Sequence, residues 1–266
     1  MEKTKSGSTH YVEAGEGHPV ILIHGVGLDS TIWEQQMKSL SAQYRVISYD
    51  MIGHGRSACP PGPYSLSQFE KQLDDLLSDL AIPQAHLVGF SMGGLVAQAY
   101  AAHHPDKVSS LTIVSSVAKR TEEQREGVLA RVKEVEEHGH QATIDAAIER
   151  WFNPAFQSQR PEVVEQIRRR LQTNEPDAYL AAYRVFATAD EELYEKLHQI
   201  ACPTFIITGE LDKGSTPEMA RFMAQQIPGA EALVLPGIRH MLPIEAGEQL
   251  NQILLSRMEQ CAGKGR

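Results

Sequence analysis

A serine, an aspartate and a histidine stand in this chain in an order, and at turns, that would let a hydroxyl act as a nucleophile. Ser91 lies in Gly89-Phe90-Ser91-Met92-Gly93, followed by Gly94. The apolar run Ala85 to Phe90 precedes it and a helical pattern opens at Met92, so the motif falls at a strand-turn-helix junction. A turn that sharp strains the serine backbone and crowds its neighbours. Glycines at 89 and 93 relieve the clashes and leave the hydroxyl raised above the strand. At neutral pH a serine needs a base to take its proton, usually a histidine oriented by a carboxylate. His240, in Pro236-Gly237-Ile238-Arg239-His240, follows the run Ala232 to Leu235 and is the only histidine beyond His198. Asp212 closes Thr208-Gly209-Glu210-Leu211-Asp212 and is the expected acid, with Glu210 supporting that loop. The run before it ends Val114-Ser115-Ser116, so the alternative position for an acid is empty.

An acyl-transfer intermediate also needs two N–H groups for its oxyanion. The amide of Met92, next to the nucleophile, is one candidate. The amide of Val26, between the glycines of His24-Gly25-Val26-Gly27, is the other. His24 itself reads as a residue that holds this loop rather than as a catalyst.

These residues have to be positioned by a scaffold. Runs rich in Val and Ile recur at Val20 to His24, Tyr44 to Tyr49, Ala85 to Phe90, Leu111 to Val114, Thr204 to Thr208 and Ala232 to Leu235. Unbroken apolar runs of this length fit strands of a parallel sheet covered on both faces. Leu66, Phe69, Leu73, Leu76, Leu77 and Leu80 mark one face of a helix after Ser65, and Leu95, Val96, Ala99 and Tyr100 begin another. Alternating strands and helices predict an α/β fold with a doubly wound, mostly parallel sheet. The alternation stops between Lys119 and Leu197, where 28 of 79 residues are charged against 31 of the other 187. Exposed helices in place of buried strands explain that contrast. Helices are expected around Val128 to Val135, Thr143 to Trp151, Val163 to Leu171 and Tyr179 to Phe186, with breaks at Asn153-Pro154 and Glu175-Pro176. The predicted organisation is a core from 1–118 and 198–266, with a helical cap from 119–197.

The chain of 266 residues carries a net charge of -9, which would repel a phosphate backbone, so nucleic acid is not an expected partner. The polar start, Met1 to Thr9, and the lack of a long apolar run argue against a signal peptide and a membrane span. Cys59, Cys202 and Cys261 form neither a disulfide framework nor a zinc site. A soluble, cytoplasmic protein is expected. No histidine pair has metal-ligand spacing with supporting acids, and no phosphate-binding or dinucleotide loop is present, so no metal or other cofactor is expected. The partner is a small-molecule substrate, and a homo-oligomer is allowed but not specified.

Taken together, His24 to Gly27, Asp50 through Gly53-His54-Gly55-Arg56-Ser57, Gly89 to Gly94, Gly209 to Asp212 and His240 resemble the α/β-hydrolase superfamily over nearly the whole chain. Pro61-Gly62-Pro63-Tyr64-Ser65 and Trp151-Phe152-Asn153-Pro154 are similar to the 3-oxoadipate enol-lactonase and small carboxylesterase group. That resemblance implies a serine hydrolase acting through an acyl-enzyme on an ester, lactone or activated amide of a small carboxylate-type metabolite. The bond type stays open, because many enol-lactonases lack the His24-Gly25 pair that esterases and amide hydrolases carry. The resemblance favours Trp151 as a wall of the substrate site, with Phe152 and Phe186 as further candidates. Arg150 and Arg184, in otherwise apolar surroundings, are candidates to hold a carboxylate. Arg168 to Arg170 read as a solvated helix face, and Arg56 as a loop tie. Two other readings remain. One is a carbon-carbon bond hydrolase of ring-fission products, whose Ser/Gly-rich oxyanion loop is absent here. The other is a hydrolase-fold receptor with little turnover.

Overall fold

A computed structural model describes the backbone of residues 2–6 and 8–263 and the side chains of residues 8–261. Eight strands form one sheet in the order β1-β2-β4-β3-β5-β6-β7-β8. They are β1 (Glu2–Ser6), β2 (Thr9–Ala14), β3 (Pro19–Ile23), β4 (Arg45–Tyr49), β5 (Ala85–Phe90), β6 (Val108–Val114), β7 (Thr204–Gly209) and β8 (Glu231–Leu235). β1 pairs with β2 and β2 with β4 antiparallel at one edge, and the six strands β4, β3, β5, β6, β7 and β8 pair in parallel. The six apolar runs of the sequence are the six parallel strands, each shifted at its ends by three residues or fewer. The hairpin of β1 and β2 was not expected. Its sequence, Glu2–Ser6 and Thr9–Ala14, is polar and alternating, with no apolar run to announce it.

Both faces of the sheet are covered, which is why the strand sequences lack alternation. Ile21, Ile23, Leu87, Ile113 and Ile206 pack on one side with Phe69, Leu73, Val96 and Tyr100. Those partners come from α2 (Leu66–Asp79) and α3 (Met92–His103). Val20, Leu22, Val88, Phe90 and Ile207 pack on the other side with Met37, Leu40, Leu250 and Leu254. These belong to α1 (Glu34–Leu40) and α12 (Gly247–Gly263). α10 (Pro217–Gln226) and the short α11 (Leu242–Glu245) complete the helices that follow β7.

Between β6 and β7 lie α4 (Glu122–His138), α5 (Ile144–Trp151), α6 (Pro154–Gln159), α7 (Pro161–Gln172), α8 (Pro176–Thr188) and a short α9 (Asp190–Leu193). The two predicted breaks are helix starts: the Asn153 side chain caps α6, the Glu175 side chain caps α8, and each is followed by proline at the first helical position. A buried ion cluster closes the neck of this helical segment. Asp190, fully buried at the start of α9, pairs with Arg120 just ahead of α4, and its other oxygen lies 3.1 Å from the Arg125 guanidinium and 3.1 Å from the Arg120 amide. Removing the carboxylate would leave the Arg120 guanidinium buried without a counter-charge. Asp190→Ala is therefore expected to lower unfolding free energy by about 3–5 kcal/mol, read as a shifted denaturant midpoint.

Candidate active site

β5 delivers Ser91 into a backbone conformation that few L-residues adopt, with φ 53° and ψ −115°. The turn is held from both sides. The Ser91 amide donates to Val114 O at 2.9 Å, and the Ser116 hydroxyl donates to Ser91 O at 2.7 Å. Glycine is required around it: a Cβ on Gly89 would lie 2.3 Å from Gly93 O, and one on Gly93 would lie 2.3 Å from Ile23 O. Met92 opens α3, so its N–H is among those a helix leaves without an internal acceptor.

The loop after β8 brings His240 to this serine, and the loop after β7 brings Asp212 to the histidine. His240 Nε2 lies 3.2 Å from Ser91 Oγ, and Nδ1 lies 2.7 Å from Asp212 Oδ2. Asp212 Oδ1 accepts the amides of Gly214 and Ser215, each at 2.9 Å. With both of its oxygens engaged the carboxylate is fixed, so it accepts the Nδ1–H and leaves Nε2 as an acceptor for the serine proton. All three residues are buried. Glu210 takes the supporting part expected of it, accepting the Gly237 amide at 2.9 Å.

The loop after β3 comes up against this line at Gly25, where an added Cβ would lie 3.2 Å from Ser91 Cβ, and Val26 and Ser91 line one cavity. His24 holds that loop: Nδ1 donates to Gly25 O at 2.7 Å and Nε2 accepts the Met51 amide at 2.9 Å. Burial depresses the His24 pKa to about 4, as it does for His86, and takes His54 to about 3. In the unfolded chain these imidazoles protonate near the usual 6.5. Stability is thus fully present above pH 6.5 and falls as the pH drops towards 4, by up to about 1.4 kcal/mol per pH unit for each group. Urea midpoints measured between pH 7 and 4 are expected to fall accordingly, less steeply in His86→Gln.

A cavity of about 180 Å³ opens on Ser91 and His240 and is roofed by the helical segment. Trp151, Phe186, Tyr179 and Tyr183 supply its apolar walls. Trp151 also faces the His240 ring, with centroids 5.8 Å apart. Two guanidiniums, Arg131 and Arg150, reach the same space. Arg131 donates to the Tyr183 hydroxyl at 3.2 Å, and Arg150 to Ala146 O of its own helix at 2.9 Å. Burial, and after it the charge of Arg131, pulls the Arg150 pKa down. Glu134 and Lys213 complete the charged lining. Among the described residues no cluster of His, Cys, Asp or Glu could hold a metal ion.

Three expectations need correcting. Arg184 does not line the cavity; it points out from α8 and pairs with Glu136 at the surface. Phe152 is fully buried and stacks on Phe156 instead of facing the cavity. Arg170 is not on a solvated face: it lies 2.7 Å from Asp29 and donates to Asn174, which in turn donates to Gly27 O at 2.9 Å. That chain of contacts pins α7 to the loop carrying Val26.

A family model for the alpha/beta hydrolase fold matches residues 18–247. The chain belongs to the α/β-hydrolase family. It is 33% identical over 260 residues to an (E)-2-((N-methylformamido)methylene)succinate hydrolase of Acinetobacter baylyi, covering 97% of each chain. A 3-oxoadipate enol-lactonase of the same organism is 31% identical over 91% of this chain and 88% of its own length. Among solved structures, the enol-lactonase of Burkholderia xenovorans superposes with a TM-score of 0.90 at 28% identity, over 97% of this chain and 100% of its own. A thermophilic esterase from Thermogutta terrifontis with malate bound gives 0.89 at 27% identity, over 98% and 99%.

This α/β-hydrolase is therefore a hydrolytic enzyme. No helix among its described residues is long and apolar enough to cross a membrane. Arg131, Tyr179, Tyr183 and Lys213 also line its cavity, and none of them is among the residues expected there. For Arg131 a signal existed: it sits between Val128 and Val132, on a helix whose buried stripe is Val128, Val132 and Val135, so its side chain borders the face turned inward.

Proposed function

We propose that this α/β-hydrolase is a serine hydrolase that cleaves an ester, lactone or activated amide of a small carboxylate-bearing molecule. Ser91 attacks the carbonyl as His240 takes its proton, and Asp212 orients and stabilises the resulting imidazolium. The amides of Val26 and Met92 receive the oxyanion. His240 then protonates the leaving group, and water, deprotonated by the same imidazole, releases the acid from Ser91. Residues 119–197 act as the cap that selects the substrate.

The observation that carries the substrate class is the pair of guanidiniums, Arg131 and Arg150, in the cavity that holds Ser91 and His240. Neither forms an ion pair among the described residues, and charged donors held half-buried favour an anionic partner. The names of similar proteins agree with this: one hydrolyses a methylenesuccinate, and the esterase carries malate.

The test compares 4-nitrophenyl acetate with the mono-4-nitrophenyl ester of adipic acid. Arg150→Ala is expected to raise KM for the adipate ester about 10- to 100-fold, the loss of one charged hydrogen-bonding group, and to change KM for the acetate little. Equal effects on both esters would remove the carboxylate assignment.

A further inference from the structure

The end of helix α5 and the loop that carries His240 are joined by several hydrogen bonds, and one side chain stands at their centre. The Glu245 carboxylate accepts the Arg239 amide at 2.9 Å with one oxygen and the Asn153 amide with the other. Arg239 immediately precedes His240, and Asn153 lies two residues beyond Trp151. Around this bridge the Met241 amide donates to Trp151 O at 3.0 Å, and the Asn153 side chain donates to Gly237 O at 2.8 Å. The Arg239 guanidinium donates to Phe152 O at 3.2 Å and to Glu149 O. These bonds take up carbonyls that the end of α5 leaves without internal donors.

The arrangement makes α5 and the histidine loop one body. From α5, Arg150 and Trp151 face the cavity; from the loop, His240 faces Ser91. We infer that Glu245 is a positioning residue: by binding both backbones it fixes His240 Nε2 relative to Ser91 Oγ and to the wall on which substrate is held. The inference rests on the proposed role of His240 as base. It implies that this end of the cap does not swing open, since opening it would carry the histidine off the serine.

Glu245→Gln keeps the length of the side chain but must turn an NH₂ donor towards one of the two N–H groups, so one half of the bridge breaks. A second variant leaves the loop half of the bridge in place and severs the cap half, together with the Asn153 side-chain bonds to Gly237 O and to the Ala155 amide at the start of α6. Asn153 has φ −62° and follows a residue with φ −111° and ψ 140°, so proline fits there and removes the N–H that Glu245 binds.

The full chain is assayed with 4-nitrophenyl acetate and, separately, for the rate at which a fluorophosphonate labels Ser91. A displacement of about 1 Å at a reacting group costs on the order of a hundredfold. Glu245→Gln is therefore expected to lower kcat about 10- to 100-fold with KM changed less than about twofold, and to slow labelling by the same factor. Asn153→Pro is expected to fall between it and the wild type on both readouts, and it serves as the test if Glu245→Gln does not fold. A lower melting temperature with kcat and labelling rate unchanged would overturn the inference, as would a loss confined to KM. A wild-type chain that neither turns over the acetate nor labels at Ser91 would instead overturn the proposed function, so the two failures are separable.

Discussion

Replacing Ser91 by alanine is expected to lower kcat for an ester substrate by on the order of a millionfold, with the fold intact. The size of the effect follows from how completely the surroundings depend on one atom. His240 is buried against Phe90 and Trp151, and its Nε2 has the Ser91 hydroxyl at 3.2 Å. Without that hydroxyl the imidazole can only activate water, and the amides of Val26 and Met92 proposed to hold the oxyanion then act alone, which leaves a residual thousandfold to ten-thousandfold over the uncatalysed reaction. Losing one hydroxyl next to a glycine-rich turn removes no packing that holds the core. Circular dichroism and melting temperature should match the wild type, and alanine at φ 53° bears the same backbone strain as serine. Burst kinetics with a chromogenic ester would show the wild-type acyl-enzyme and its loss. Turnover within tenfold of the wild type would mean that Ser91 is not the nucleophile.

The second expected result is a loss of about ten-thousandfold in kcat for Asp212→Asn. Here the argument is one of tautomers. Asp212 Oδ1 accepts two backbone amides, so the asparagine must keep its carbonyl oxygen there and turn its NH₂ towards His240 Nδ1. Facing a donor, Nδ1 becomes the acceptor and the ring proton moves to Nε2. That nitrogen then has no lone pair for the Ser91 proton, although no atom has moved. Steady-state kinetics give the loss, and a structure of the variant with unchanged side-chain positions would separate this cause from displacement. A drop of less than tenfold would show that Asp212 does not set the tautomer.

The residues that form the Ser91, Asp212 and His240 line were legible because each sits where a strand ends, and strand ends can be read from apolar runs. Gly89 and Gly93 were legible for a steric reason that the backbone distances bear out. The cavity wall was harder to read. Arg150 and Arg184 look alike in sequence, each an arginine among apolar neighbours, yet only Arg150 reaches the cavity while Arg184 meets Glu136. The difference is a rotation about a helix axis, which depends on how α5 and α8 pack on their neighbours. Arg170 was misread for a similar reason: its partner Asp29 is 141 positions away in the chain, and no local pattern announces the pair. Glu245 left no signal either, since its targets are backbone amides, which every residue but proline carries.

The ion cluster of Arg120, Arg125 and Asp190 has a bearing on how such a protein can change over generations. The helical segment leaves the core next to Arg120 and returns at Asp190, and these two residues are in contact. Whatever lies between them therefore has its ends fixed side by side, independent of its own length or sequence. For a chain closed in this way, doubling the enclosed length costs only about 0.6 kcal/mol in closure entropy. Residues 121–189 can accordingly be lengthened, shortened or exchanged while Ser91, Asp212 and His240 stay at the ends of strands β5, β7 and β8, provided the new segment again meets Asp29, Gly27, Glu245 and the loop that carries His240. With the roles proposed above for the cap and for Ser91, Asp212 and His240, variation in what is hydrolysed can thus accumulate in one stretch of the gene while the means of hydrolysis is inherited unaltered.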